Sequence, residues 1–343
     1  MKKKCLHTPV SPLVLDDLSD VRELVERMGK TAFQGKNISL AMDIWGNMLQ
    51  DETTIFLGLA GAMVPAGMRK LVACLIENRL IDCIVSTGAN LFHDCHESLG
   101  RYHWQGSAQV DDMELFEEGI DRIYDVFADE KEFEKTDEFI EKLARDIDQS
   151  HAYTTREFLY LLGKELSDSG DEDGILTTAY KEDLPIYCPA IADSSIGISI
   201  ALERYDGTSR LQLDTIADIL EIAEIVGTSQ ATGVIYIGGG VPKNFIQQAQ
   251  IVARFIDVES PNGHKYGIQI STDAPHWGGL SGCTFREAKS WGKISSEATC
   301  VSVYADATIA FPLIASATLS SSKEILKRRK FPKFKMGTKL EVL

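Results

Sequence analysis

The sequence predicts an α/β protein with one large domain on a doubly wound, mostly parallel sheet. Three observations carry that prediction. Short apolar runs at 53–59, 81–87, 234–237, 267–272 and 300–304 alternate with amphipathic stretches of helical period. Several runs end on small residues, at Gly58 and Gly61, at Gly88, and at Gly238 to Gly240. Such turns are where α/β strands pass into their helices. The length of 343 residues and 44% hydrophobic content suit one such domain, and no 20–50-residue repeat divides it.

In chain order, residues 1–12 read as a short polar tail ahead of a domain over 13–320. Leu18, Val21, Leu24, Val25 and Met28 predict a helix over 15–28, stopped at Gly29. A second helix is expected over 38–49. The buried strand 53–59 follows and opens through Gly58, Gly61 and Gly67 into a helix over 68–78. Strand 81–87 runs directly into Gly88-Ala89-Asn90, where such a sheet presents a ligand loop. His93, Asp94, Cys95, His96 and Glu97 come next. Ligands packed this closely cannot all converge on one ion, and no His-Glu-x-x-His is present, so no metal is expected.

Residues 111–168 read as acidic helix, with Phe116, Ile120, Ile123, Phe127 and Phe139 among its apolar positions. The acids over 168–174 do not complete a calcium loop, and the segment reads as a solvated turn. The second half repeats the rhythm: a strand over 184–190, a helix over 213–226, strand 234–237 and a helix to about 255. Between the last two lie Gly238, Gly239 and Gly240, with Pro242 suited to a first helical turn. Two readings fit this turn: exposed amides that bind a phosphate, or a tight turn with no ligand. Strand 267–272, a loop over 273–285 and strand 300–304 precede an apolar helix ending near 319. The basic end, 321–343, reads as a solvated tail or a docking segment.

The net charge of -16 opposes nucleic-acid binding, which needs a basic footprint. No unbroken apolar run reaches membrane-spanning length, and no signal segment follows the first lysines. Seven cysteines, odd in number and never spaced Cys-x-x-Cys, fit reduced thiols and a cytoplasmic location. The most chemically suggestive stretch is 287–293, Glu-Ala-Lys-Ser-Trp-Gly-Lys. A lysine becomes nucleophilic when desolvation lowers its pKa. Trp291 could supply the apolar wall for Lys293, and Glu287 a carboxylate for a cationic substrate or a proton. The competing reading is a surface lysine at a helix end.

Several motifs occur in a fixed order: 31–37 (Thr-Ala-Phe-Gln-Gly-Lys-Asn), 86–89 (Ser-Thr-Gly-Ala), and 189–197 (Pro-Ala-Ile-Ala-Asp-Ser-Ser-Ile-Gly). After them come 238–243 (Gly-Gly-Gly-Val-Pro-Lys), 287–293 and 303–307 (Val-Tyr-Ala-Asp-Ala). This order resembles the deoxyhypusine synthase family over roughly residues 13 to 319. The resemblance implies a Rossmann-like NAD-binding fold and a homotetramer with NAD sites close to subunit contacts. It also implies a reaction: NAD oxidises spermidine, and the aminobutyl group passes through a lysine Schiff base to an acceptor amine. Lys293 inherits the role of covalent carrier. Glu287 and Trp291 fall where the family holds an amine and the apolar chain of spermidine. Thr87, Gly88, Ala89, Asp193, Gly238, Gly240, Thr272, Ser281, Asp306 and Ala307 fall at its NAD contacts, with Asp193 and Asp306 suited to ribose hydroxyls.

The departures from that pattern fall in the same regions. Ile198 and Leu280 stand where the family has carboxylates for spermidine's amines. Asn244 replaces a histidine, and His93 a catalytic-site glutamate. Trp277 replaces an NAD-contacting aspartate, and Gly61-Ala62 a Ser-Asn pair. The expectation is thus a deoxyhypusine-synthase-like protein of the divergent bacterial kind. It would be an NAD-dependent alkylamine transferase whose acceptor is a small amine or polyamine, as in a homospermidine-type reaction, rather than a protein lysine. A catalytically altered NAD- or polyamine-binding protein, and a true deoxyhypusine synthase, are the alternatives.

Overall fold

The computed structural model describes residues 8–256 and 262–343; residues 1–7 of the expected tail, with Cys5, lie outside the described residues. The chain begins with helix α1 (Val21–Met28), α2 (Phe33–Gln50) and strand β1 (Thr54–Leu59). A π-helical turn (Val64–Met68) leads into α3 (Arg69–Glu77), β2 (Cys83–Ser86) and α4 (Gly88–Ser98). Next come β3 (Trp104–Gln105), α5 (Asp112–Glu117), β4 (Ile120–Ile123), β5 (Val126–Asp129) and α6 (Glu130–Asp146). The middle holds β6 (Ala152–Tyr153), α7 (Thr155–Ser169), α8 (Ile175–Lys181), β7 (Ile186–Tyr187) and α9 (Ser195–Tyr205). Then follow β8 (Gln212–Leu213), α10 (Thr215–Thr228), β9 (Thr232–Ile237), α11 (Gly240–Phe255) and β10 (His264–Ile270). Last are α12 (Phe285–Ser290), β11 (Ile294–Val303), α13 (Ala307–Leu326), β12 (Phe334–Met336) and β13 (Leu340–Val342).

Six of these strands form one sheet in the order β11-β10-β9-β1-β2-β7, and every pair in it is parallel. This is the predicted fold class. The strands are apolar on both faces because helices cover both. Ile55, Leu57 and Leu59 point into a core shared with Ile38, Trp45 and Phe311, on the side of α2 and α13. Phe56, Val234 and Tyr236 point the other way, onto Ile222, Ile246 and Ala249 of α10 and α11. Alternation along a strand thus feeds two separate cores.

Three expectations need correction. The first helix starts at Val21, not near 15, because Asp20 caps it by accepting from the Glu23 amide at 2.9 Å. Residues 111–168 are not continuous helix: β4 and β5 form an antiparallel hairpin there, extended by β3. Gly119 and Tyr124 adopt left-handed backbone (φ 67° and 54°), which breaks any helix on either side of β4. The basic end does not read out as a solvated tail. β12 and β13 pair, Phe334 and Leu340 enter the second core, and buried Arg329 bonds Asp82 at 2.6 and 3.0 Å. Among the described residues no helix is long and apolar enough to cross a membrane.

Candidate active site

Parallel register brings the strand ends level. Leu59 of β1 pairs with Ser86 of β2 on one side and Ile237 of β9 on the other. The turns that follow the strands therefore leave from one carboxyl edge. Gly61, Thr87, Gly238, Thr272 and Asp306 all lie along it, beyond β1, β2, β9, β10 and β11. Gly238 and Gly240 need their left-handed φ of 74° and 58° to turn into α11. Gly239 allows a close approach, since a Cβ there would come within 2.4 Å of Ser281 Cα. Gln269 fastens the two segments, donating to Gly238 O at 2.9 Å and Ser281 O at 2.7 Å. Asp306 caps α13 through Thr308, whose hydroxyl and amide hold its carboxyl below the usual range.

A second feature is built from α12, the turn after it and α11. Thr284 caps α12, and the chain then turns through Trp291 and Gly292 (φ 66°) so that Lys293 N donates to Ala288 O at 3.1 Å. Lys293 precedes β11, so its backbone sits at the opposite edge of the sheet. Its side chain reaches back to α11, with Nζ 3.2 Å from Asn244 Oδ1 and 5.5 Å from the Trp291 ring centroid. The cleft there, about 290 Å³, is also lined by Lys243, Gln247, Leu280, Cys283 and Glu287. Burial lowers the Lys293 ammonium from its ordinary range. Trp291 is 64% exposed, so its ring is a wall of the cleft and not core. The arrangement is a partly desolvated amine under an aromatic face, with a carboxylate on the same rim.

The sequence profile of deoxyhypusine synthase matches residues 23–318. The chain belongs to the deoxyhypusine synthase family. "Probable deoxyhypusine synthase 2" of Methanosarcina acetivorans is 51% identical over 324 residues, covering 94% of this chain and 92% of that one. The Archaeoglobus fulgidus protein of the same name is 51% identical over 308 residues, covering 90% and 99%. The crystal structure of a putative deoxyhypusine synthase from Entamoeba histolytica shares the fold, with a TM-score of 0.65 at 23% identity, over 91% and 97% of the two chains. Deoxyhypusine synthases are NAD-dependent aminobutyl transferases that act on amines.

The carboxyl edge suits the family's NAD. It offers two exposed carboxylates, Asp193 and Asp306, for ribose hydroxyls, and the amides of two strand-end turns for a pyrophosphate. Gly88 lies against Ser194, where a Cβ would come within 2.3 Å of the hydroxyl, so this turn tolerates no larger residue. Thr87 Oγ1 accepts from Asn90 Nδ2 at 3.0 Å, and Ala89 follows in the first turn of α4. Ala307 opens α13. Ser281 gives its hydroxyl to Asp273. Trp277 is 73% exposed on the loop after β10, and Gly61 turns with φ 72°.

Not all expected residues meet. Asn244, Leu280, Glu287, Trp291 and Lys293 share the cleft. Ile198 does not: it is 57% exposed on α9, which follows β7, at the far end of the sheet from β11. His93 lies on α4, also outside the Lys293 cleft, bonded to His103. Its neighbours in sequence are dispersed: Asp94 accepts from Arg69 and caps α8, Cys95 is core, and His96 bonds Thr136. Lys243, the last residue of the 238–243 motif, carries no role in the sequence-based expectations. It is buried, donates to Gln269 Oε1 at 2.9 Å and Cys283 O at 2.5 Å, and is pushed down to about 8 by burial.

Proposed function

We propose that the protein transfers an alkylamine group through an imine on Lys293, from a polyamine donor to a small amine acceptor. The observation that carries this reading is Lys293 Nζ, 3.2 Å from Asn244 Oδ1 and 5.5 Å above Trp291, on a cleft that also holds Glu287. Bound NAD would supply the hydride acceptor that oxidises the donor amine and the hydride that reduces the final imine. Neutral Lys293 adds to the oxidised donor's imine carbon to give an aminal; a proton then passes from Nζ to the donor nitrogen, whose bond to that carbon breaks to leave the imine on Lys293. Asn244 orients Nζ, Trp291 holds the alkyl chain, and Glu287 meets a terminal ammonium. Thr87, Gly88, Ala89, Asp193, Gly238, Gly240, Thr272, Ser281, Asp306 and Ala307 hold the cofactor. Leu280 supports a donor or acceptor less charged at its end. A hydrogen bond to a charged group contributes about 1.5–3 kcal/mol, so losing two carboxylates weakens dication binding by roughly a hundredfold or more.

A protein lysine as acceptor is the second reading, favoured by the names of the 51%-identical relatives. The proposal includes a homotetramer. Ile198 reaches a Lys293 cleft only if another chain brings it there, and an apolar groove between α10 and α11 borders the cleft. Sedimentation tests the assembly. For the chemistry, the protein is incubated with NAD and spermidine, putrescine or agmatine, reduced with borohydride and mapped by mass spectrometry. An NAD-dependent adduct on Lys293, absent from Lys293→Ala, is expected. Chasing the unreduced adduct with small amines or with a lysine-bearing translation factor then separates the two acceptors. Confirmed NAD binding with no adduct from any amine would leave a binding protein instead.

A further inference from the structure

Of the described residues that line the Lys293 cleft, Lys243, Cys283, Glu287 and Lys293 itself are the ones able to exchange a proton. Lys293 carries the alkyl group, Glu287 meets the substrate's ammonium, and burial raises the Cys283 thiol so that it stays protonated. The transfer leaves Lys243 without a task. It stands in the first turn of α11, next to the Asn244 that holds the Lys293 amine, and is only 2% exposed. Its Nζ donates to Gln269 Oε1 at 2.9 Å and to Cys283 O at 2.5 Å, and among the described residues no carboxylate bonds it. An ammonium has three N–H groups and no lone pair, whereas a neutral lysine amine has two N–H groups and one lone pair. Two uncharged acceptors therefore match the neutral amine and leave its lone pair available.

We propose that Lys243 carries the proton from Lys293 Nζ to the departing donor nitrogen during imine exchange. This rests on the transferase reading. In the aminal both nitrogens sit on one carbon, so direct transfer would run through a four-membered ring, and a third group must carry the proton. The steps balance. Neutral Lys293 adds to the donor's protonated imine, which leaves the positive charge on Nζ. The Lys243 lone pair takes a proton from Nζ, and the resulting ammonium gives one to the donor nitrogen. The bond from that nitrogen to carbon breaks and its electron pair leaves with the amine. The Nζ lone pair then closes the protonated imine on Lys293, and Lys243 is neutral again.

The surroundings suit a group that gains and loses a proton near neutral pH. Glu287 of α12, with Asp273 and the Cys283 thiol from the loop after β10, favours the Lys243 ammonium, and the Tyr236 ring of β9 lies 5.8 Å from Nζ. Burial acts against the ammonium, and so does the charge of Lys293. Burial is the largest influence and holds Lys243 at about 8, far below an ordinary lysine.

The comparison that tests this is Lys243→Arg against Lys243→Met. Arginine keeps the charge and the N–H donors but releases no proton, while methionine keeps only the length. Both should slow formation of the spermidine-derived Lys293 adduct by about a hundredfold or more. NADH formation, which precedes the exchange, should continue in both. In wild type the adduct rate should rise with pH through about 8, as Lys243 becomes neutral, and that rise should be gone from both variants. Carbon-13 NMR of the lysine Cε signal that Lys243→Met removes should show wild-type Lys243 titrating in the same range. An arginine variant as fast as wild type overturns the proposal, because charge and hydrogen bonds would then suffice. So does an unchanged rate and pH profile in Lys243→Met, with water carrying the proton, or an equal loss of NADH formation and adduct, which marks a structural role. Titration of Lys243 above pH 10 overturns it as well. Failure of wild type to form the adduct with any amine overturns the transferase reading beneath it, whatever the pH at which Lys243 titrates.

Discussion

Asn244 accepts from the Lys293 amine at 3.2 Å, and its replacement tests how much orientation that amine needs. Asn244→Ala removes one hydrogen bond to Nζ and should slow adduct formation about tenfold, read as trapped adduct against time. Leu280→Asp restores a carboxylate to the same rim. It should lower KM for spermidine about tenfold or more, while leaving a monoamine's KM unchanged. Equal effects on both amines would remove Leu280 from the charged end of the substrate. The sequence displayed Trp291 and Lys293 because their chemistry is local, two residues apart across a glycine. Lys243 gave no such signal. Its partners Gln269 and Cys283 lie 26 and 40 residues away, so its burial exists only once β10 and the following loop are in place.

The elements that the sequence located best are β1, β2 and β9, whose short near-continuous apolar runs between turn residues fit strands buried on both faces. The β4–β5 hairpin escaped because Ile120 and Ile123, three apart, match a helical face as well as a short half-exposed strand. The end of the chain escaped for another reason: its charge suggested solvent, yet one of its arginines neutralises a buried acid. Breaking that pair leaves Asp82 buried without a counter-ion, so Arg329→Ala should lose about 3–5 kcal/mol in denaturant unfolding. A loss under 1 kcal/mol would mean the segment is dispensable. Gly239→Ala should lower both stability and NAD affinity, because the added Cβ meets the Ser281 backbone and must displace the loop it belongs to. Calorimetric titration with NAD measures the second effect directly.

For the molecule as a whole, acid is the informative perturbation. His264 is fully buried beside Thr232 and Gln250 and is pushed down to about 3, against an ordinary 6.5. Below pH 6.5 the unfolded chain takes up a proton that the folded one refuses, so stability falls as pH drops from 6.5 towards 3. At pH 5 this costs about 2 kcal/mol. Asp218, raised to about 7 by burial, acts in the opposite direction between 3.8 and 7. The clean measurement is therefore the difference between wild type and His264→Gln, unfolded at pH 7 and pH 5. The variant should lose less on acidification; an equal loss would show that His264 is not held neutral. The Arg329–Asp82 pair has one more consequence, in the order of synthesis. The two residues are 247 positions apart. At roughly 5–20 residues per second, Asp82 waits about 12–50 s on the ribosome for its counter-ion. During that interval β1 and β2 cannot bury their shared end without stranding a carboxylate, so the nascent sheet closes late and all but the last stretch of chain is made before it does.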